Sequence, residues 1–387
     1  MRVAIAHHWF VTKGGGERVA EYIASLFPAA EIFSLVSHPE GIPEGLRERR
    51  IRTSFLQKLP FGVSHHRHMM PLYAAAAEGL DLRGFDVVLS SDSGPVKCVR
   101  TDPDATHICY CHSPMRYLYD GYDQYRALMG PLTRTVFTAT AGSLRKADLR
   151  AAARVTHFIA NSQYVADRIR RVYGRESTVI HPPIDVKRAV VATPGPHYLC
   201  AGRLVSYKRT DLIVKACTQL GRPLRIVGAG PEEAALKRIA GPTVTFDGEQ
   251  TTENLWREFA TCRALIFAAD EDFGMVPLEA QACGRPVIAY GHGGSLETVR
   301  GSGARPTGVY FSEQTVESVM EGILRFEENE TMFDSQVIRS HAAQFDSSAF
   351  LERLRMFITS VLPAAANEMS PTANEMPADE PAGLAAR

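Results

Sequence analysis

Apolar runs of three to six residues recur along most of the chain and alternate with longer stretches of helical spacing. In the first half they fall at residues 3–6, 32–36, 86–91, 106–111 and 158–160. In the second half they fall at 198–201, 224–227, 244–248, 264–268 and 286–290. The runs are nearly continuous in hydrophobicity, which is the pattern of strands buried on both faces of a parallel sheet. Between them the apolar positions repeat at helical spacing, as at 18–26 and at 163–173, where Asn161-Ser162 supplies an N-cap. The prediction is an α/β chain with two doubly wound, Rossmann-like domains. The pattern lapses at residues 186–196, where Pro194-Gly195-Pro196 marks a linker. The expected division is therefore a first domain at 1–185, that linker, and a second domain at 197–345. An apolar helix at 350–362 is expected to pack back on the first half. Residues 363–387 are rich in Ala, Pro and Glu, repeat Ala-Asn-Glu-Met at 366 and 373, and are expected to be a disordered tail.

Composition narrows the function. At 387 residues the chain exceeds one typical core, in keeping with two domains. Lys+Arg and Asp+Glu both number 43, which argues against a nucleic-acid binder held by a global field. Seven cysteines without a CxxC pair fit neither a disulfide framework nor a zinc site, and point to a reducing, cytoplasmic setting. The chain enters its first strand without a secretory pattern, and no apolar run reaches transmembrane length. Membrane contact, if made, is expected to be peripheral. One segment suits it: from Arg47 to Tyr73, Arg47, Arg49, Arg50, Arg52, Lys58 and Arg67 face only Glu48, with Phe55, Leu56, Leu59, Phe61, Met69, Met70 and Leu72 interleaved. A basic face on a core helix is the alternative.

The loops at the strand ends carry the candidate chemistry. Gly14-Gly15-Gly16 precedes a helix and exposes backbone N–H groups suited to a phosphate, or else forms a mobile loop. His112 sits where a strand ends and can hydrogen-bond a ligand hydroxyl, or a local group. Arg203 and Lys208 follow a second-half strand and offer two cations to a diphosphate, unless a structural salt bridge takes them. Glu271 falls on the loop after the strand at 264–268, and Glu279 about one turn into the next helix. Glu279 suits vicinal hydroxyls, the helix dipole being its competing explanation; Val276, three residues earlier, cannot complete a capping box. Asp270-Glu271-Asp272 matches a bare D-x-D, a weak pattern for a divalent cation. No stretch completes G-x-G-x-x-G, which excludes the nicotinamide fingerprint.

Taken together, Glu271-x7-Glu279 with Phe273-Gly274 and Pro277-Leu278-Glu279-Ala280, Gly202-Arg203-Leu204 with Lys208, Gly228-x-Gly230-Pro231 and the first glycine loop resemble glycosyltransferase family 4 across roughly residues 1–360. His7-His8 and the stretch from Cys111 to Tyr117 resemble the bacterial mannosyltransferases of O-antigen (lipopolysaccharide) and exopolysaccharide synthesis within it. The resemblance implies the GT-B fold, two domains facing across a cleft, and transfer with retention and without a metal cofactor. It implies that Arg203 and Lys208 hold the donor diphosphate, that Gly15 and Gly16 approach it, and that Glu279 binds the ribose. Glu271 would contact the donor sugar, with Phe273, Gly274 and Met275 offering N–H groups; Gly248 lies in the loop expected to meet the base, and His112 near the reacting centre. Arg209 stands where many members have Gly. The implied activity moves a hexose, mannose from GDP-mannose in the first instance, to a lipid-linked oligosaccharide at the cytoplasmic face of the bacterial inner membrane. A UDP-glucose or UDP-galactose transferase, a sugar-nucleotide 2-epimerase and a non-catalytic sugar-nucleotide-binding protein are the alternatives.

Overall fold

The computed structural model describes residues 1–12 and 14–370. Among the described residues two compact units divide the chain: one holds Met1–His181 and residues 351–370, the other Pro182–Phe350. In the first unit the strands are β1 (Val3–Phe10), β2 (Glu31–Ser37), β3 (Ile51–Thr53), β4 (Val87–Asp92), β5 (Thr106–Cys111), β6 (His157–Ala160) and β7 (Ser177–Val179). They form one sheet in the order β3-β2-β1-β4-β5-β6-β7, with every pair parallel. The second unit holds β8 (Tyr198–Ala201), β9 (Leu224–Val227), β10 (Val244–Gly248), β11 (Leu265–Phe267), β12 (Val287–Tyr290) and β13 (Gly308–Phe311). Its order is β10-β9-β8-β11-β12-β13, again parallel throughout.

Successive residues of a strand point to opposite faces, and the second sheet shows why its strands are apolar at every position. Leu199 and Ala201 enter one core with Leu265, Phe267, Val287 and Ala289. Tyr198 and Cys200 enter the other with Ile266 and Ile288. All seven cysteines are buried, free thiols, and Cys109, Cys111 and Cys200 fill strand positions of this kind.

Three expectations need correction. Residues 186–196, read as a linker, lean on the second unit: Val186, Ala189 and Ala192 pack against its core, Arg285 donates to the Ala192 carbonyl, and Gly195 N–H donates to Thr261 O at 2.7 Å. The chain changes units at His181/Pro182 instead. The tail does not lose its packing at residue 363. Pro363–Glu368 forms a 3₁₀ turn, Ala365 and Met369 are buried, and Ser370 N–H donates to Leu26 O at 2.9 Å. The remainder of that predicted tail lies outside the described residues.

The basic segment at 47–73 is also not one free face. Arg52 pairs with Glu31 at 2.8 Å, and Arg49 donates to the carbonyls of Ala24, Phe27 and Ala30. These carbonyls lie at and just beyond the end of the helix Gly15–Leu26, where the last turn lacks intrahelical donors. Arg49→Ala is therefore expected to lower stability by about 1.5–3 kcal/mol, read as a lower urea midpoint of the full chain. The exposed Arg47→Ala should stay within about 0.5 kcal/mol of wild type.

Candidate active site

The strand order of the second sheet reverses between β8 and β11, the position where open α/β sheets bind ligands beyond their carboxyl ends. The loop after β8 begins at Gly202 (φ 136°), passes through the 3₁₀ turn Ser206–Lys208, and enters the helix Thr210–Leu220. The loop after β9 presses on it, backbone against backbone. A Cβ on Gly228 would fall 2.1 Å from Gly202 O, and one on Gly230 would fall 2.3 Å from Leu204 O. Gly202 N–H donates to Val227 O at 2.9 Å, and Gly228 N–H to Gly248 O at 2.7 Å. Gly228, Gly230 and Gly248 thus build the floor that carries Arg203 and Lys208.

Arg209 resolves the departure noted in the sequence. It adopts the left-handed conformation (φ 53°) that favours glycine, and its guanidinium meets Asp211 at 3.1 Å in the first turn of the following helix. The ion pair partly offsets a strain of about 1–2 kcal/mol, so the helix entry forms without glycine.

Lys208 Nζ lies 3.1 Å from Glu271 Oε1, with the two side chains 17% and 21% exposed. Burial pulls the ammonium down, but Glu271 and Tyr207 together outweigh it and hold Lys208 above its ordinary range. Arg203 Nε is buried and has no hydrogen-bond partner among the described residues. The Glu271 loop is fixed from behind: Gly294 N–H donates to Glu271 O at 2.9 Å, and a Cβ on Gly294 would fall 2.3 Å from Phe273 Cα. Phe273 is a core anchor whose ring stands 5.9 Å from Phe345, so only its backbone is available to a ligand. Gly274 (φ 87°) then starts the helix Met275–Ala282.

Glu279 lies in the second turn of that helix, whose N-cap is Gly274 with no side-chain cap. The capping-box position, three residues after that cap, falls on Pro277 and not on Glu279. Asp270, the first acid of the D-x-D, meets His292 Nδ1 at 3.1 Å. Structure therefore brings Arg203, Lys208, Glu271, Phe273, Gly274, Met275, Glu279 and Gly248 onto one unit's carboxyl edge.

Gly15, Gly16 and His112 belong to the first unit, whose strand order reverses between β1 and β4. Gly16 stands in the first turn of the helix Gly15–Leu26 beneath three imidazoles. A Cβ there would lie 3.5 Å from His7 Cε1 and 3.7 Å from both His112 Nε2 and His8 Cε1. Ser91, at the end of β4, holds the rings together. Its hydroxyl lies 3.0 Å from His7 Nδ1 and 2.8 Å from His112 Nε2, and its carbonyl 3.1 Å from His7 Nδ1. Burial lowers all three histidines: His7 well below its ordinary value, His8 to about 3 and His112 to about 4. Neutral imidazoles thus line this edge. The loop carrying His112 is held by Arg168, which donates to Ser113 Oγ at 2.7 Å and Asp120 Oδ2 at 3.0 Å.

Beneath Ser91 lies a feature that sequence reasoning missed. Lys97 Nζ sits 2.9 Å from Asp92 Oδ2 and 2.6 Å from Asp148 Oδ1, and all three side chains are fully buried. The contact to Asp148 Oδ1 is close but not aligned as a hydrogen bond. Asp92 Oδ1 accepts from the N–H groups of Gly94 and Val96, so the triad fixes the turn that follows β4. Burial raises the Asp92 carboxyl, whereas Lys97, opposed by burial, is raised well above its range by Asp148 and Asp92. No spacing announces the triad, because Asp148 reaches it from the helix Pro131–Arg154.

Known proteins share this architecture. Anabaena HepE in complex with UDP superposes with a TM-score of 0.67 at 17% identity, over 93% of this chain and 100% of that one. Sucrose-phosphate synthase from Thermosynechococcus elongatus does so at 0.68 and 17%, over 94% and 100%. Two parallel, doubly wound units of this kind define the GT-B class. Residues 13–188 match the family model "Glycosyltransferase Family 4" and residues 185–344 match "Glycosyl transferases group 1". The chain belongs to glycosyltransferase family 4.

Among curated relatives, a GDP-mannose-dependent monoacylated alpha-(1-6)-phosphatidylinositol monomannoside mannosyltransferase of Corynebacterium glutamicum is 35% identical over 171 residues, 36% of this chain and 45% of that protein. A D-inositol 3-phosphate glycosyltransferase of Mycobacteroides abscessus is 28% identical, over 35% of this chain and 37% of that protein. The chain thus spans less than half the length of the curated relatives it matches.

The buried imidazoles make acid the sensitive direction. Between about 4 and 6.5 the unfolded chain binds protons that folded His8 and His112 refuse, so their contribution is full above 6.5 and is lost as the pH falls toward 4. Asp92, raised by burial, acts in the opposite sense. Urea unfolding at pH 7, 6 and 5 should show a falling midpoint, by up to about 1.4 kcal/mol per pH unit for each histidine. His8→Gln should flatten that slope by about one proton.

Proposed function

We propose that this chain transfers mannose from GDP-mannose, with retention at the anomeric carbon and without a metal, to a hydroxyl of a lipid-linked oligosaccharide in bacterial surface polysaccharide synthesis. The observation that carries the reading is the pair of cations at the β8 edge: Lys208 held beside Glu271, and Arg203 with an unpartnered buried N–H. Such a pair suits a diphosphate, and two fixed positive charges leave little need for a divalent ion. Glu279, outside the capping-box position, is assigned the ribose hydroxyls. Glu271 is assigned the donor sugar, with the backbone of Phe273, Gly274 and Met275 beside it. In the step itself the bond from the anomeric carbon to the diphosphate oxygen breaks and one to the acceptor oxygen forms on the same face. The acceptor's proton passes to the departing diphosphate, whose growing charge Arg203 and Lys208 stabilise.

The GDP-mannose dependence of relatives such as the Corynebacterium glutamicum enzyme favours GDP-mannose. The solved neighbour in complex with UDP, at 17% identity, supports the fold alone. A thermal-shift panel separates the donors: GDP-mannose should raise the melting temperature well above UDP-glucose and UDP-galactose, and a larger UDP-sugar shift would overturn the assignment. With the preferred donor, Lys208→Ala should lower kcat about a hundredfold, EDTA should leave turnover intact, and turnover within a few-fold of wild type would remove the diphosphate clamp.

Peripheral attachment to the cytoplasmic face of the inner membrane completes the reading. No helix among the described residues is long and apolar enough to cross a membrane. Phe61 and Leu72 are 72% and 40% exposed, and Arg47, Arg50 and Lys58 are exposed on the same segment, whereas Arg49 and Arg52 are engaged within the fold. Flotation with vesicles containing anionic lipid should carry the full chain upward. Replacing Arg47, Arg50 and Lys58 by Ser should weaken it severalfold, and equal flotation would count against this surface.

A further inference from the structure

The hydrogen bonds around Ser91 constrain where each proton lies. The Ser91 carbonyl can only accept, and His7 Nδ1 stands 3.1 Å from it and His8 Nδ1 3.4 Å. Both nitrogens therefore carry hydrogens. His7 Nδ1 also lies 3.0 Å from Ser91 Oγ, so the hydroxyl oxygen meets an N–H on that side and its own proton is left to point elsewhere. The shortest contact of that hydroxyl is to His112 Nε2 at 2.8 Å. A hydroxyl donating there leaves Nε2 as the acceptor nitrogen, and a neutral imidazole then carries its hydrogen on Nδ1. His112 Nδ1 has no hydrogen-bond partner among the described residues.

We propose that Ser91 is a positioning residue: its hydroxyl proton occupies His112 Nε2 and locks the imidazole in the tautomer that presents Nδ1–H to the bound sugar. The supporting frame is rigid. Ser91 is fully buried, His112 N–H donates to Asp92 O at 2.8 Å, and Asp92 is fastened by Lys97 at 2.9 Å. Low proton affinity at His112, set by burial, keeps the ring neutral, so that it has a definite tautomer to fix. A ring free to exchange tautomers would offer a lone pair and a hydrogen in turn. A sugar hydroxyl, able both to donate and to accept, would then be bound in two orientations. The inference rests on the proposed glycosyl transfer and on the place beside the reacting centre, in contact with the donor sugar, that the family resemblance implies for His112.

The tautomer can be read without turnover. The full chain is labelled with 15N in its histidine rings, His112 is assigned by the loss of its signals in His112→Gln, and long-range 1H–15N spectra report which nitrogen is protonated. Wild type should show His112 with a protonated Nδ1 and a bare Nε2. Ser91→Ala should lose that pattern and lower kcat by about tenfold or more, with the donor KM and the melting temperature little changed. Ser91→Thr, which keeps the hydroxyl, should restore both the spectrum and kcat. Protonated Nε2 in the wild type, or an unaltered His112 pattern in Ser91→Ala, would overturn the proposal, and the wild-type spectrum alone decides should Ser91→Ala fail to fold. Full activity of His112→Gln would overturn the sugar-contact reading beneath it, and the spectrum keeps the two failures apart.

Discussion

The ion pair between Lys208 and Glu271 spans the point where the strand order of its sheet reverses, and the surrounding chain is shaped to put it there. One partner follows β8 and the other follows β11, strands that are neighbours in space but distant in sequence. The turn that lays Lys208 over the end of β8 takes φ 136° at Gly202, a conformation that favours glycine, and a Cβ there would crowd the ammonium at 3.0 Å. For Glu271 to face it, Gly294 must let the Phe273 backbone approach within what a Cβ would occupy. The pair is partly exposed, and such pairs contribute only about 0–1 kcal/mol to stability. That is too little to account for several constrained backbone positions. Its value lies in holding a charged group ready, which fits a site organised for a ligand.

The first unit solves a different problem. A lysine between two carboxylates, all removed from water, is a costly arrangement, and well-packed apolar groups of the same volume are often no less stable. What apolar groups would not supply is direction. Asp92 Oδ1 takes the N–H groups of Gly94 and Val96 while its other oxygen is tied to Lys97, so the end of β4 has one conformation. Ser91 precedes Asp92 and the imidazole cluster hangs on Ser91. The buried charge is thus connected to the histidine edge through a single peptide.

How much of this was legible in the sequence depends on where each interaction is encoded. Central strands announce themselves, because β8 and β11 are covered on both faces and read as apolar runs, and β4 and β5 carry apolar stretches broken only at one end by Ser-Ser-Asp and Thr-His. The strands β3, β7 and β13 lie at or next to sheet edges, are only three or four residues long, and carry polar or half-exposed residues, so they gave no pattern. Pro194-Gly195-Pro196 has a linker's composition, yet its neighbours Val186, Ala189 and Ala192 are held by a core that no local pattern reveals. Arg49 and Arg52 looked like surface charge because their acceptors, three carbonyls and Glu31, lie on other elements. The same limit explains the site. Arg203, Lys208 and Glu271 stand on strand-end loops and Glu279 in the helix that follows one, places that local pattern marks. Ser91, Lys97 and Asp148 become partners only through strand register and helix packing, which spacing along the chain does not express.

The two carboxyl edges differ in electrostatic character, and the difference bears on the proposed chemistry. The edge at β8 and β11 offers fixed charge: Arg203, and a Lys208 ammonium held above its ordinary range by Glu271 despite burial. The edge at β1, β4 and β5 offers imidazoles that burial keeps neutral down to about pH 4 at His112 and about 3 at His8. A departing nucleoside diphosphate gathers negative charge, whereas the sugar it leaves gathers positive charge at the anomeric carbon. Cations favour the first and would oppose the second. A histidine beside the sugar therefore serves transfer only if it stays uncharged at neutral pH, where a solvent-exposed imidazole, with a value near 6.5, would still be partly protonated. Burial of the His7, His8 and His112 cluster meets that requirement, and it does so at the cost of the acid sensitivity that neutral buried histidines confer.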